Sequence, residues 1–193
     1  MSRAALLLVV VCLPLLTSCG EEPDHPPRIF KTKTPHGSRP AEFPEAGMTF
    51  KRPRNWTIRR RALPGVFELV SGEAVVAGWA YTRAEPLPET DAQLEAARQR
   101  LLGAIHDRDP DFEVISGFAT REIVNAPAID IEGEQVISKR RLRTRSVHIY
   151  KGDVEYVIES LAPSPDHALV ERGVMKPLLD SLELTGEVDE DAG

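Results

Sequence analysis

The chain has 193 residues, of which 41% are hydrophobic and 28% are charged, and its formal net charge at pH 7 is −6. This composition is that of an ordinary globular protein with a core large enough to be stable, and its acidic balance argues against a nucleic-acid partner. The two cysteines, Cys12 and Cys19, both lie near the N-terminus. The rest of the chain therefore contains no disulfide, thiolate nucleophile or cysteine metal ligand.

The N-terminus has the pattern of a secretory signal peptide. Arg3 supplies a positive charge, and an apolar run extends from Ala4 to Leu16. This run is shorter than the roughly 20 residues that a membrane-spanning helix needs. It ends in Leu16-Thr17-Ser18-Cys19, which is typical of a bacterial lipobox, in which the cysteine thiol receives a diacylglycerol. We predict a signal peptide over residues 1–18 and an extracytoplasmic protein anchored to the bacterial cell membrane by a lipid on Cys19. The alternative is a plain signal peptide with an incidental cysteine.

Two further segments are predicted to be disordered. Residues 19–46 contain six prolines and many charges, and such a composition buries too little apolar surface to offset the entropy of ordering. We predict that this segment is a tether that holds a domain away from the membrane. Residues 185–193 contain four acids and are predicted to form an acidic, solvated tail.

Residues 47–184 are predicted to form a single domain. Residues 74–82 alternate but are apolar on both faces, which indicates a central strand covered on both sides, and Gly78 in its middle would let a helix or another backbone approach closely. Eight segments have the composition and alternation of strands: Met48–Phe50, Trp56–Ile58, Val66–Val70, Ala74–Thr82, Phe112–Arg121, Pro127–Ile137, Lys139–Tyr150 and Val154–Leu161.

Two helices are predicted among these strands. Thr90 and Gln93 form a capping box, an apolar stripe at helical spacing follows from Leu94 to Ile105, and the helix ends by Asp109-Pro110. A second helix after Ser164 is interrupted by Gly173 and Pro177, so it should be bent or consist of two pieces. This order of elements predicts an α+β fold, an antiparallel sheet flanked by helices in an α/β/α-type sandwich.

Opposite charges alternate on two neighbouring predicted strands. If Ile137-Ser138 is a two-residue hairpin loop, these charges form a ladder on the solvent face, and a β-bulge near Ser146 would return the later residues to the core. The alternative is that the three arginines bind anionic lipid headgroups or an acidic partner. The predicted pairs are Glu134 with Arg141, Glu132 with Arg143 and Asp130 with Arg145.

No pattern indicates catalysis or a metal. The acids from Asp107 to Asp111 are spaced like the start of a calcium loop, but Phe112 replaces the required glycine and Phe118 the bidentate glutamate. His106 has no second histidine at ligand spacing, and no Gly-x-Ser-x-Gly elbow or Gly-rich phosphate loop is present. We predict a protein that is not an enzyme and has no catalytic residues, metal site or cofactor.

Three motifs resemble the PsbP-like superfamily, which includes small bacterial lipoproteins of the DcrB and LpqN kind. They are Phe50-x-x-Pro53-x-x-Trp56, the Asn125–Ala128 step into a strand, and the closing Leu178–Leu184 segment. The resemblance covers residues 47–184. It implies an antiparallel sheet flanked by helices, used mostly as a non-catalytic platform for partners, with no shared catalytic residues.

These observations leave two main hypotheses for function. The first is a scaffold lipoprotein that docks an unknown envelope protein through a sheet edge or through Arg141, Arg143 and Arg145. The second is a carrier of a small apolar ligand, such as a lipid, held between sheet and helix near Gly78. An envelope hydrolase is a third alternative, and it would need a nucleophile and a base that converge in a cleft.

Overall fold

The computed structural model describes residues 30 to 189, without the side chains of residues 118–122. Its larger sheet has seven antiparallel strands in the order β3-β4-β5-β9-β8-β7-β6, and its smaller sheet has the order β1-β2-β10. The strands are β1 (Arg39–Phe43), β2 (Met48–Arg52), β3 (Thr57–Arg60), β4 (Gly65–Ser71), β5 (Ala74–Thr82), β6 (Glu113–Ile123), β7 (Ala126–Ile137), β8 (Arg140–Lys151), β9 (Val154–Pro163) and β10 (Glu183–Leu184).

The first helix, α1 (Asp91–Arg108), begins and ends where the sequence predicts. The Thr90 hydroxyl accepts a hydrogen bond from the Gln93 N–H, and the Gln93 side chain accepts one from the Thr90 N–H in return. Two of the otherwise unpaired N–H groups at this terminus are thus satisfied. Over residues 30–189, no helix combines the length and the apolar character that crossing a bilayer requires.

The C-terminal helical segment passes through Gly173 and Pro177 without stopping. It consists of α2 (Ser164–Val170), a π-helical turn (Glu171–Met175) and α3 (Lys176–Asp180). The predicted interruption therefore takes the form of a wider turn inside one helical run. Gly173 is required at this point because a Cβ atom there would lie 2.6 Å from the Pro35 ring.

Both faces of the seven-stranded sheet are covered. The small sheet and the C-terminal helical segment cover one face, where the rings of Phe43, Phe50 and Phe67 pack with centroids 4.6 to 5.8 Å apart. On the other face, Leu94 and Ala97 of α1 are buried against the sheet. The predicted single α+β domain with helices on both sides of an antiparallel sheet is confirmed, and the small second sheet is an addition to it.

The predicted tether is wrong for residues 30–46, which belong to the domain. β1 pairs with β2, and Phe43 and Ala46 are fully buried. Further upstream, the Thr32 hydroxyl donates to Asp166 at 2.8 Å. The prolines that suggested disorder occupy permissive positions: Pro40 lies on an edge strand and Pro44 opens a 3₁₀ turn, where a missing N–H is tolerated.

The predicted acidic tail is likewise wrong for residues 185–189. The Gly186 N–H donates to the Tyr156 hydroxyl at 3.3 Å, and the Asp189 N–H donates to the Glu45 carbonyl at 2.8 Å. These hydrogen bonds hold residues 185–189 against the domain, beside the small sheet. Residues 190–193 and the predicted signal peptide, with Cys19, lie outside the described residues.

The β7–β8 hairpin turns at Ser138-Lys139, one residue later than predicted. Both residues have positive φ, as a type I′ turn requires. The strands pair without a register shift, so the bulge expected near Ser146 is absent. The predicted solvent face is also wrong: the C-terminal helical segment covers it, and Val147 is fully buried there.

Candidate functional site

A cleft of the domain lies between the second half of α1 and the seven-stranded sheet. The first half of α1 buries Leu94 and Ala97, whereas Leu101 and Ile105, further along the same stripe, remain only partly buried. This difference leaves a half-open cleft of about 470 Å³. A second lobe of about 520 Å³ continues from it toward the start of α1 and shares Leu101 and Ala104 with it.

Strand alternation decides which side chains form the cleft floor. In the register of the sheet, Val157 of β9 lies opposite Trp79 of β5 on one side and His148 of β8 on the other. Their same-face neighbours two residues away also point into the cleft. The floor therefore consists of Trp79, Tyr81, Thr144, Ser146, His148, Glu155, Val157 and Glu159.

A chain of polar contacts runs across this floor. Ser146 Oγ lies 3.2 Å from His148 Nε2, and His148 Nδ1 lies 2.7 Å from Glu155 Oε1. Arg83 Nε donates to the other carboxylate oxygen of Glu155 at 2.7 Å, and its guanidinium lies over the Tyr81 ring. Burial acts to raise the pKa of Glu155, but the hydrogen bonds from His148 and Arg83 outweigh it, so the pKa falls below its ordinary value.

Glu159 is a second carboxylate on the floor, and its surroundings are different. It points into the cleft on the same strand face as Glu155. Among the described residues, no basic nitrogen lies within the 4.0 Å of an ion pair with it. Burial raises its pKa above the ordinary value, and Arg108, His148 and the Ser146 hydroxyl act in the opposite direction. The cleft thus contains two carboxylates in different settings: Glu155 is hydrogen-bonded to two basic side chains, whereas Arg108 and His148 act on Glu159 only from beyond ion-pair distance.

The spacing of Ser146, His148 and Glu155 matches that of a serine–histidine–acid array. Acyl transfer also needs donors for the oxyanion, usually backbone N–H groups. Here β8 is hydrogen-bonded to β7 on one side and to β9 on the other along this whole stretch, so its N–H groups are occupied by the sheet. Over this stretch of the described chain, β8 itself therefore offers no free N–H group to an oxyanion.

The three arginines named from the sequence lie on the opposite face of the sheet. The predicted pairs occur as diagonal contacts: Arg141 contacts Glu134, Arg143 lies 3.8 Å from Glu132, and Arg145 lies 2.7 Å from Asp130. Arg145 also binds Glu171 of the C-terminal helical segment at 2.7 Å. The three therefore do not form a single free basic patch.

The other candidates from the sequence are dispersed. His106 and Asp107 lie exposed near the end of α1, and Asp109 follows as its C-cap. Gly78 faces away from the cleft, and a Cβ there would overlap the Phe67 ring. The close neighbour of this glycine is therefore an aromatic ring of β4 and not a helix, and the predicted ligand space lies on the other side of β5.

Compared with family models and with curated proteins, the sequence matches none. Among solved structures, cyanobacterial PsbP (CyanoP) from Synechocystis is similar, with a TM-score of 0.56 and 11% identity over 88% of this chain and 98% of that chain. The domain has the PsbP-like fold. LpqN of Mycobacterium tuberculosis, described as involved in cell envelope biogenesis, has a TM-score of 0.51 and 10% identity over 77% of this chain and 91% of that one.

The resemblance noted in the sequence is thus confirmed at the level of fold. Within this PsbP-like domain, the cleft residues Arg83, Glu155 and Glu159 were not identified from the sequence. The available signal was in the segment Val154–Leu161, where two acids of the same parity interrupt an otherwise apolar strand. Two acids in a strand covered on both faces mark a polar site within a buried sheet.

Proposed function

We propose that this protein is a lipid-anchored, extracytoplasmic binding protein whose PsbP-like domain holds a small apolar ligand in the cleft between α1 and the sheet. The observation that carries the proposal is the cleft of about 470 Å³ itself. Its volume is within the range of small-molecule sites, and its lining combines apolar and polar side chains. Of the two hypotheses from the sequence, the carrier is therefore the better supported.

The walls of the cleft favour an apolar ligand. Leu101 and Ile105 line the cleft and are only partly buried, and Trp79 and Val157 line it from the sheet. A ligand that covers these side chains gains about 25 cal/mol for each Å² of apolar surface removed from water. The polar contacts of Arg83 and His148 with Glu155 fix the floor in one arrangement, so little reorganisation is needed on binding.

The location is proposed from the lipobox and supported by the fold. Cys19 follows Leu16-Thr17-Ser18, and LpqN, which shares the fold, is described as involved in cell envelope biogenesis. Cys19→Ala should abolish acyl-chain labelling and release the protein from membranes in a fractionation experiment. Unchanged membrane association of this variant would contradict the anchor.

The cleft is tested with 1-octanol, an uncharged amphiphile, by isothermal titration calorimetry. Ala104 lines both lobes, so Ala104→Trp should fill the space and lower the affinity at least tenfold. Ala168→Trp is the matched control, because Ala168 is an exposed helical alanine on the opposite side of the sheet. Equal affinity of both variants and the unmodified protein would show that the cleft is not the site.

A second function, docking of an envelope protein, is favoured by one observation. At the tip of the β7–β8 hairpin, Val136 is 60% exposed and Ile137 is 45% exposed. Arg141 next to them keeps 70% of its side chain exposed although it contacts Glu134. A photo-crosslinker at Ile137 should capture one specific protein in envelope membranes, and the same group at exposed Glu183 should not. Identical adduct patterns at both positions would reject this surface.

A further inference from the structure

We propose that the ligand of the cleft carries an amine, and that Glu159 binds this amine as its counter-ion. This inference rests on the proposed function, since it specifies the head group of the ligand that the cleft would hold. It follows from the difference between the two carboxylates on the cleft floor.

The charge of Glu155 is already neutralised within the protein. Arg83 and His148 occupy both of its oxygens, and it is almost fully buried. Its role is to hold these two side chains in place. A ligand would have to break existing hydrogen bonds to reach it, which makes Glu155 a structural part of the floor.

Glu159 lies four residues further along the same strand, in a different environment. The positive charges of Arg108 and His148 act on it from a distance, but no described basic nitrogen is within ion-pair distance of it. A carboxylate that is partly withdrawn from water and has no direct ion pair is costly, and Glu159 is half-buried. A cation brought by the ligand would remove that cost, whereas a second carboxylate brought by the ligand would add to it.

The surroundings of Glu159 suit an amine joined to an apolar body. In the register of the sheet, Glu159 lies opposite Ala77, and Trp79 is its diagonal neighbour on the same face. The indole ring of Trp79 lines the same cleft, and an aromatic face can bind a cation. Above it, Leu101 and Ile105 of α1 offer apolar surface. The charged or titratable groups that also face this space are Tyr81, Arg83, Arg108, His148 and Glu155.

The test measures the affinities of three probes that share an eight-carbon chain by isothermal titration calorimetry at pH 7.5. The probes are octylamine, 1-octanol and octanoate. The unmodified protein should bind octylamine at least tenfold more tightly than octanoate. Glu159→Gln should reduce this ratio to within about threefold while 1-octanol still binds. Glu183→Gln, which removes an exposed carboxylate on β10, should leave the ratio unchanged.

Octylamine binding should also weaken as the pH falls, because protonation of Glu159 removes the counter-ion. Burial raises the pKa of Glu159 above 4.5, so the weakening should begin at a higher pH than for an exposed glutamate. In Glu159→Gln this pH dependence should be lost.

The two proposals fail in different ways. If 1-octanol binds and is blocked by Ala104→Trp but octanoate binds as tightly as octylamine, the amine inference is overturned and the cleft remains a ligand site. A Glu159→Gln variant that keeps the full preference for octylamine overturns it as well. If none of the three probes binds the unmodified protein, the proposed cleft function itself is wrong.

Discussion

Replacing Arg145 should destabilise the domain far more than replacing Arg141, although both lie on the same strand face. Only 14% of the Arg145 side chain is exposed, and the Asp130 side chain that it binds is 6% exposed. Arg145 also donates to Glu171 at 2.7 Å. Arg145→Ala would therefore remove the arginine that binds both carboxylates. Breaking a buried pair by removing one partner costs about 3–5 kcal/mol.

This loss is large in relation to the roughly 5–15 kcal/mol that stabilises a typical domain. For a domain of this size, each kcal/mol corresponds to about 2–4 °C in Tm, so Arg145→Ala should lower the Tm by roughly 6–20 °C in thermal unfolding followed by circular dichroism. Arg141→Ala is the matched control, because its contact with Glu134 lies at the exposed end of the ladder, and it should change the Tm little. Equal, small effects of both variants would refute the view that the buried end of the ladder stabilises the fold.

Three further predictions use the same thermal assay. Glu159→Gln should raise the Tm at pH 7.5, because burial raises the pKa of Glu159 and its charged form therefore costs stability. The gain in Tm should disappear below about pH 4.5, where Glu159 is protonated in both the folded and the unfolded chain. Burial lowers the pKa of His167 below 6.5, so the domain should lose stability as the pH falls below 6.5. His167→Gln should remove this part of the loss. Identical plots of Tm against pH for the variant and the unmodified protein would contradict this prediction. Gly78→Ala should lower the free energy of unfolding by about 1–3 kcal/mol, because the added Cβ would overlap the Phe67 ring. Gly103→Ala in α1 has open space around the new Cβ and should stabilise the domain by about 1 kcal/mol. A higher Tm for Gly78→Ala than for Gly103→Ala would contradict the described packing.

Local signals in the sequence predicted the elements well. The capping box at Thr90 and the Asp109-Pro110 stop give the bounds of α1, and the segment Ala74–Thr82 coincides with β5. What the sequence could not supply was the small sheet. β1 follows a proline-rich segment and β10 has only two residues, so neither has a pattern of its own. Both strands form by pairing with β2, and β10 comes to β2 from the other end of the chain.

The charges of β7 show why their face was assigned wrongly. Acids of one parity normally mark the solvent side of a strand, and Asp130 and Glu132 follow that rule in the sequence. In the fold, each acid meets an arginine of β8, and Ser160 and Glu171 complete the hydrogen bonds beneath the C-terminal helical segment. A polar face can be buried when its charges are paired, and the sequence of one strand does not reveal the cover.

The cleft depends on the same kind of non-local information. Glu155 and Glu159 come from β9, Ser146 and His148 from β8, and Trp79 from β5. Only the antiparallel register places them on one floor, and only the partial contact of α1 leaves that floor open. The alternation of residues within a single strand can identify candidate side chains, but it cannot show that side chains from different strands lie together.

The packing of residues 30–46 onto the domain shortens the segment that would link the domain to the proposed lipid anchor. The sequence between Cys19 and Phe30 has ten residues, which span at most about 40 Å when fully extended. A tether that extended from Cys19 to Ala46 would have permitted a distance of roughly 95 Å between its ends by the same measure. If Cys19 is acylated as proposed, the domain would stay in a shallow layer above the lipid, and a ligand that it carries would be exchanged with the bilayer itself or with neighbours in the same leaflet, not across a wide aqueous gap.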